Sequence, residues 1–211
     1  MDRLADQQLK VSVTKTKQLS KNLLLILTRN PELGKCKSRL AAKVGDQAAL
    51  DIYNFLLDKT VSFTKDLKVE KWVYYSETIW MDDIWDNKVY KKKLQVGNDL
   101  GERMMNAFDE GFKAGFENII IIGSDMFHLD QTDLEAAFSK LMDHDFVLGP
   151  AEDGGYYLLG MKSLKKELFQ NKEWGTNTVL ADTLSDIKDE KFVLLDEKND
   201  VDYYEDIKDI E

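Results

Sequence analysis

Short apolar runs alternate along the chain with longer stretches whose apolar residues recur at helical spacing. Strand-like runs occupy 22–28, 70–76, 92–96, 118–123, 145–149, 156–161 and 191–195. The first reads Asn-Leu-Leu-Leu-Ile-Leu-Thr and the fourth opens Asn-Ile-Ile-Ile-Ile. Continuous runs of this kind fit strands covered on both faces, as in a parallel sheet. Between the runs, 46–66 places Ala49, Ile52, Phe55, Leu56 and Phe63 at mostly helical spacing, and 99–114 places Leu100, Met104, Ala107, Phe108 and Phe112 on one face. Thr132 is expected to cap a helix over 133–143, with Asp133 and Glu135 favourably charged in its first turn. An amphipathic stretch over 176–187 opens at Thr176 or Asn177. Strands alternating with helices predict an α/β fold, a three-layer α/β/α arrangement around a mostly parallel sheet. The link from 149 to 156 is too short for a helical crossover, so one antiparallel excursion is expected there.

With 211 residues the chain suits one large domain. That domain is expected over 22–211, after a polar tail at 1–21. The tail lacks the apolar centre of a secretory signal, which points to a cytoplasmic protein. The apolar runs at 23–27 and 119–122 are far too short to span a bilayer, so no membrane partner is expected. A single cysteine, Cys36, rules out an internal disulfide and fits a reducing compartment. With His128 and His144 it does not make a usual structural zinc site. A formal net charge of −10 argues against general nucleic-acid binding.

Against that acidic background one loop is locally basic. The first apolar run ends in Arg29-Asn-Pro-Glu-Leu-Gly34, followed by Lys35, Lys37 and Arg39. A loop after a buried parallel strand lies at the carboxyl edge of the sheet, where α/β proteins bind ligands. Cations there suit phosphate oxygens, although loop lysines are commonly just solvated. The loop is not a P-loop: Cys36 precedes Lys37-Ser38 where that motif needs glycine.

Three acidic segments complete the chemistry. Gly123-Ser-Asp125 follows the isoleucine run, so Asp125 emerges at the same sheet edge. A carboxylate there suits Mg²⁺ or Mn²⁺ held against phosphates, or alternatively caps a turn. Glu152-Asp-Gly-Gly155 either joins two strands as a turn or lets the backbone approach a ligand that Asp153 or Glu152 contacts. Asp200-Val-Asp202 lies near the end of the chain, where Asp202 either serves a site or caps a helix beginning at Tyr203.

Taken in order, Pro31-Glu-Leu-Gly-Lys-Cys-Lys-Ser-Arg-Leu40, Gln95-Val-Gly-Asn-Asp-Leu-Gly-Glu-Arg-Met104, Gly123-Ser-Asp125, Gly149 to Gly160 and Asp200-Val-Asp202 resemble a bacterial family of proposed glycosyltransferases of the GT-A (nucleotide-diphospho-sugar transferase) fold. The superfamily includes phospholactate and molybdenum-cofactor guanylyltransferases and sugar-acid cytidylyltransferases. The resemblance spans about 22–206. It implies that Asp125 and Asp202 hold Mg²⁺ or Mn²⁺, that Lys37, Arg39 and backbone near Gly34 contact a diphosphate or triphosphate, and that Gly97 to Arg103 lies beside the base. Asp153, Gly154 and Gly155 would face the acceptor, with Asp153 as base or hydroxyl contact. Arg29 stands where the family pattern has Lys, Phe127 where Pro often follows, and Tyr203-Tyr204 where Thr-Pro is common.

The implied activity is glycosyl transfer from a nucleotide-diphosphate sugar to a small-molecule acceptor. The alternatives are nucleotidyl transfer with release of pyrophosphate, and a non-catalytic nucleotide-binding protein. The same charges serve both reactions, so fold does not separate them.

Overall fold

In the computed structural model, residues 21–207 are described. All but the last residue of the polar tail expected at 1–21 lies outside them. The chain runs β1 (Asn22–Thr28), α1 (Ser38–Val44), α2 (Asp46–Thr64), β2 (Glu70–Tyr75), β3 (Lys91–Leu94), α3 (Leu100–Lys113), β4 (Asn118–Gly123), α4 (Gln131–Asp143), β5 (Phe146–Pro150), β6 (Tyr156–Met161), α5 (Val179–Asp186) and β7 (Phe192–Leu194), with single 3₁₀ turns at Lys166–Phe169 and Tyr204–Ile207.

The strands form one seven-stranded sheet in the order β3-β2-β1-β4-β6-β5-β7. β1 pairs in parallel with both β2 and β4, and β5 pairs in parallel with β7. β6 runs antiparallel to both β4 and β5, and is the excursion expected from the short 149–156 link. Since β1 and β4 lie at the middle, their side chains are covered on both faces. Leu24, Ile26, Ile120 and Ile122 join the core beneath α2 and α4, whereas Leu23, Leu25, Ile119 and Ile121 join the core beneath α3. This two-sided burial explains the uninterrupted apolar runs. Gly111 lets α3 lie close, because a Cβ there would fall 2.6 Å from Ile119 Cδ1 and 2.8 Å from Leu23 Cδ2.

Two helix starts differ from the expectations. α4 begins at Gln131, capped by Asp130, and Asp133 returns the bond to complete a capping box. Thr132 is therefore inside the helix, because the reciprocal Asp130–Asp133 pair satisfies two backbone N–H groups at once. α5 begins only at Val179, because the residues before it pack against the β5–β6 turn: a Cβ on Gly154 would fall 2.4 Å from Asn177 O.

Candidate functional site

The carboxyl ends of β1 and β4 are tied together by a small hydroxyl network. Ser124 Oγ lies 3.0 Å from Thr28 Oγ1, and Tyr53 Oη, from α2, lies 3.2 Å from Ser124 Oγ. The Arg29 N–H donates to Tyr53 Oη at 2.9 Å. Burial, and secondarily the charge of Asp125, pushes the Tyr53 hydroxyl's pKa up and keeps it neutral. Asn30, itself buried, receives the N–H groups of Glu77 and Thr78 and donates to Thr78 O. These bonds set the direction in which the basic loop and the Asp125 loop leave the sheet.

Both loops enter a cleft of about 770 Å³. It is lined by Arg29, Lys37, Arg39, Arg103, Asp125, Asp153, Gly155 and Asp202 among the expected residues. Gly34, Gly97 and Gly154 are not on its walls. All three adopt positive φ and shape turns behind it. Gly97 also sits where a Cβ would fall 2.8 Å from the backbone N of Arg103.

The centre of the site is an ammonium between two carboxylates. Lys37 Nζ donates to Asp125 Oδ2 at 2.7 Å and to Asp202 Oδ1 at 3.0 Å. The Lys37 side chain is only 5% exposed, whereas those of Asp125 and Asp202 are 35% and 30% exposed, so the ammonium is buried beneath two carboxylates that face the cleft. Burial alone would lower its pKa, but the charges and hydrogen bonds of Asp125 and Asp202 outweigh this and hold it above the ordinary lysine value. Lys37 also stands at the start of α1 in the left-handed region, φ 48 and ψ 52, a backbone state uncommon for residues other than glycine. Arg39, about half exposed, donates from Nη1 to the other oxygen of Asp202 at 3.0 Å and lies 5.5 Å from the centre of the Tyr203 ring.

Asp202 is not a helix cap. The capping carboxylate of the last turn is Asp206, which accepts from the N–H groups of Asp202 at 3.0 Å and Tyr203 at 2.6 Å. Asn199 donates to its second oxygen at 2.7 Å. The Asp202 side chain is thereby left to face Lys37 and Arg39. Asp153 is a turn residue, as one of the two sequence readings had it: Oδ1 accepts from Gly155 N–H at 2.8 Å within the β5–β6 turn, and the residue also lines the cleft. Arg103 is steadied by Gly97 O at 3.1 Å and Gln95 Oε1, while Gln95 Nε2 donates to Thr28 O and Tyr74 O.

Sequence reasoning missed Tyr53 and Trp174, and gave no role of their own to Gln95 and Asp200 within the segments it singled out; all four line the cleft. A signal was available for Asp200. It alternates with Asp202 about buried Val201, so in extended chain the two carboxylates point the same way. Burial first, then the charges of Asp202 and Asp125, push the Asp200 carboxyl up to about 6, with Lys37 opposing. An acid raised on folding binds extra protons in the folded state, so its charging costs stability as pH rises. The chelator-treated protein should therefore lose stability between about pH 4 and pH 6–7. Asp200→Asn should remove this fall and raise the melting temperature at pH 7.5 but not at pH 4. Parallel pH–melting profiles for the two proteins would show that Asp200 is not strained.

No group of three His, Cys, Asp or Glu side chains among the described residues is arranged as a ready metal site. Nevertheless, Asp125 and Asp202 converge on one cation, the Lys37 ammonium, and their donors are hard oxygens. The pair therefore fits Mg²⁺ or Mn²⁺ in donor type and in approach to a shared point. No helix among the described residues is long and apolar enough to cross a membrane.

A mostly parallel sheet with one reversed strand, and charged loops converging at its carboxyl edge, define an α/β fold shared with structures of the nucleotide-diphospho-sugar transferase kind. The chain belongs to the DUF2064 family, described as an uncharacterized protein conserved in bacteria, whose pattern matches residues 58–176. A protein from Desulfovibrio desulfuricans G20, provisionally named a nucleotide-diphospho-sugar transferase, is similar with a TM-score of 0.81 and 27% identity, over 91% of this chain and 90% of that one. Rv0371c from Mycobacterium tuberculosis H37Rv is similar in fold at a TM-score of 0.57 and 12% identity, over 90% of this chain and 96% of that one. The 4-diphosphocytidyl-2C-methyl-D-erythritol synthase of Anaerococcus prevotii DSM 20548 shares the fold at a TM-score of 0.53 and 11% identity, over 89% of this chain and 93% of that one. No curated protein matches the chain in sequence.

Proposed function

We propose that this protein is a transferase that binds a nucleotide-diphosphate sugar in the cleft and passes the sugar to a small-molecule acceptor. The observation that carries the reading is the convergence of Lys37, Arg39, Asp125 and Asp202, contributed by three separated segments, at the carboxyl edge of the sheet. The provisional name of the Desulfovibrio protein supports the donor class. Asp125 and Asp202 would hold Mg²⁺ or Mn²⁺, which when bound supplies charge neutralisation at the departing diphosphate. Lys37 and Arg39 would stabilise the negative charge growing on the same oxygens. The acceptor hydroxyl would form its bond to the anomeric carbon as the bond to the diphosphate breaks, and Asp153 would receive the proton or hold the hydroxyl. Gln95 and Arg103 would border the base, with Gly97 O holding Arg103 in place.

Nucleotidyl transfer is the second reading, favoured by the likeness in fold to the diphosphocytidyl-methylerythritol synthase. There an acceptor phosphate would attack the α-phosphorus of a nucleoside triphosphate and pyrophosphate would leave. The product separates the two: a nucleoside diphosphate supports glycosyl transfer, and pyrophosphate supports nucleotidyl transfer. Neither product with any nucleotide sugar or triphosphate plus Mn²⁺, together with no nucleotide-dependent thermal shift, would sink both. Arg39→Ala should weaken binding of the identified nucleotide by about 1–3 kcal/mol, the scale of a charge-assisted contact. Unchanged affinity by calorimetry would leave Arg39 as a partner of Asp202 alone.

A further inference from the structure

We propose that Lys37 is the resident counter-ion of Asp125 and Asp202, so that the cleft takes a divalent cation and a nucleotide's phosphates together as one ligand. The inference rests on the transferase reading for the identity of the phosphates, but its first half concerns this chain's own residues alone. The residue assigned to phosphate is the same residue that closes the assigned metal ligands: Nζ lies 2.7 Å from Asp125 Oδ2 and 3.0 Å from Asp202 Oδ1. With 5% of its side chain exposed, Lys37 is not a solvated lysine that happens to lie nearby. Its left-handed backbone, φ 48, is an unfavourable state for lysine that the two ion pairs help to hold.

The consequence follows from keeping every buried charge paired. A divalent cation arriving alone meets two carboxylates already paired with Lys37 and Arg39. To reach them it must expel the ammonium and leave it without an anion in a poorly solvated place, which is strongly unfavourable. A phosphate arriving alone meets a lysine already committed, with Asp125, Asp202 and half-buried Asp200 repelling it. When cation and phosphate arrive together, the carboxylates pass from Lys37 to the metal and Lys37 passes to the phosphate. No charge is left alone. Arg39, which also leans on Asp202, is placed to make the same exchange. Three aspartates against Lys37 and Arg39 leave the centre short of positive charge, so an added cation is welcome once Lys37 has another anion. Such mutual help between two ligands is a coupling free energy and must be reciprocal.

The test uses the full chain, stripped with chelator, and Mn²⁺ alone as the first probe. Calorimetry and water-proton relaxation would give its dissociation constant for wild type, Lys37→Gln and Lys37→Asn, Asn being a side chain that tolerates the left-handed backbone. Without the ammonium, the carboxylates repel each other and invite a cation. Both variants should bind Mn²⁺ at least ten-fold more tightly than wild type. Equal or weaker affinity in folded variants would overturn the proposal. The second arm needs no variant: in wild type, ADP, CDP, GDP and UDP are each added at saturation and Mn²⁺ is titrated again. At least one should tighten Mn²⁺ ten-fold or more, and an Mn²⁺ affinity unchanged by a nucleotide that does bind would also overturn the proposal. If no nucleotide binds, the transferase reading falls, while the gain in Mn²⁺ affinity of the Lys37 variants still decides whether Lys37 is the counter-ion.

Discussion

Asp202→Asn is expected to abolish metal-dependent nucleotide binding while leaving the fold intact. The fold should survive because the last turn is capped by Asp206, not by Asp202. Asn still offers an oxygen to Lys37 or Arg39, so the geometry is nearly kept and only the charge is lost. That charge is what a divalent cation would need, since Mg²⁺ and Mn²⁺ bind through one or two carboxylates and complete their shell with phosphate oxygens. A Mn²⁺ titration with nucleotide present, on wild type and variant, checks this. Equal metal affinity would remove Asp202 from the site and make Asp200 or Asp153 the better second ligand.

A large stability effect is expected for Gly154→Ala, in the turn behind the cleft. Gly154 has φ +86, and a Cβ there would lie 2.4 Å from Asn177 O and 2.6 Å from Asn177 Cα. The first feature costs about 1–3 kcal/mol for a residue other than glycine. The second adds an overpacking cost of about 1–3 kcal/mol because the obstacle is backbone that cannot swing aside. The same contact docks the 171–178 segment, which brings Trp174 and Thr176 to the cleft, so ligand binding should fall with stability. Gly115→Ala is the control. It has φ +92 with nothing within 4 Å of an added Cβ, and so should show only the backbone penalty. Urea unfolding of both variants separates the effects, and equal losses would show that the close approach to Asn177 contributes nothing.

Much of the architecture was legible because burial dictates composition. The run of isoleucines at Ile119–Ile122 is covered on both faces, and that demand leaves an unmistakable trace in the chain. The single reversed strand was legible from loop length, since a few residues do not permit a parallel return. α1 was not foreseen. It spans Ser38–Val44 and buries only Leu40, too little to impose a helical period on the sequence. The start of α4 was placed two residues late, because Thr132 and Asp130 both have capping side chains and only the reciprocal bond with Asp133 distinguishes them.

The site divides in the same way. That Lys37, Asp125 and Asp202 lie at one edge of a sheet could be read from the chain, since each follows a strand-like run and successive parallel strands end on the same side. The pairing was expected to be carboxylate against carboxylate, awaiting a metal. Instead Lys37 reaches both, across 88 and 165 positions of sequence. The sequence by itself determined which charges would gather at the mouth of the sheet, because periodic burial sets where each strand ends. Only the tertiary structure decided which charge neutralises which, and that Asp200 is the acid held protonated to higher pH. Ion pairing and burial depend on distance and desolvation in three dimensions, and neither quantity has any period along the chain.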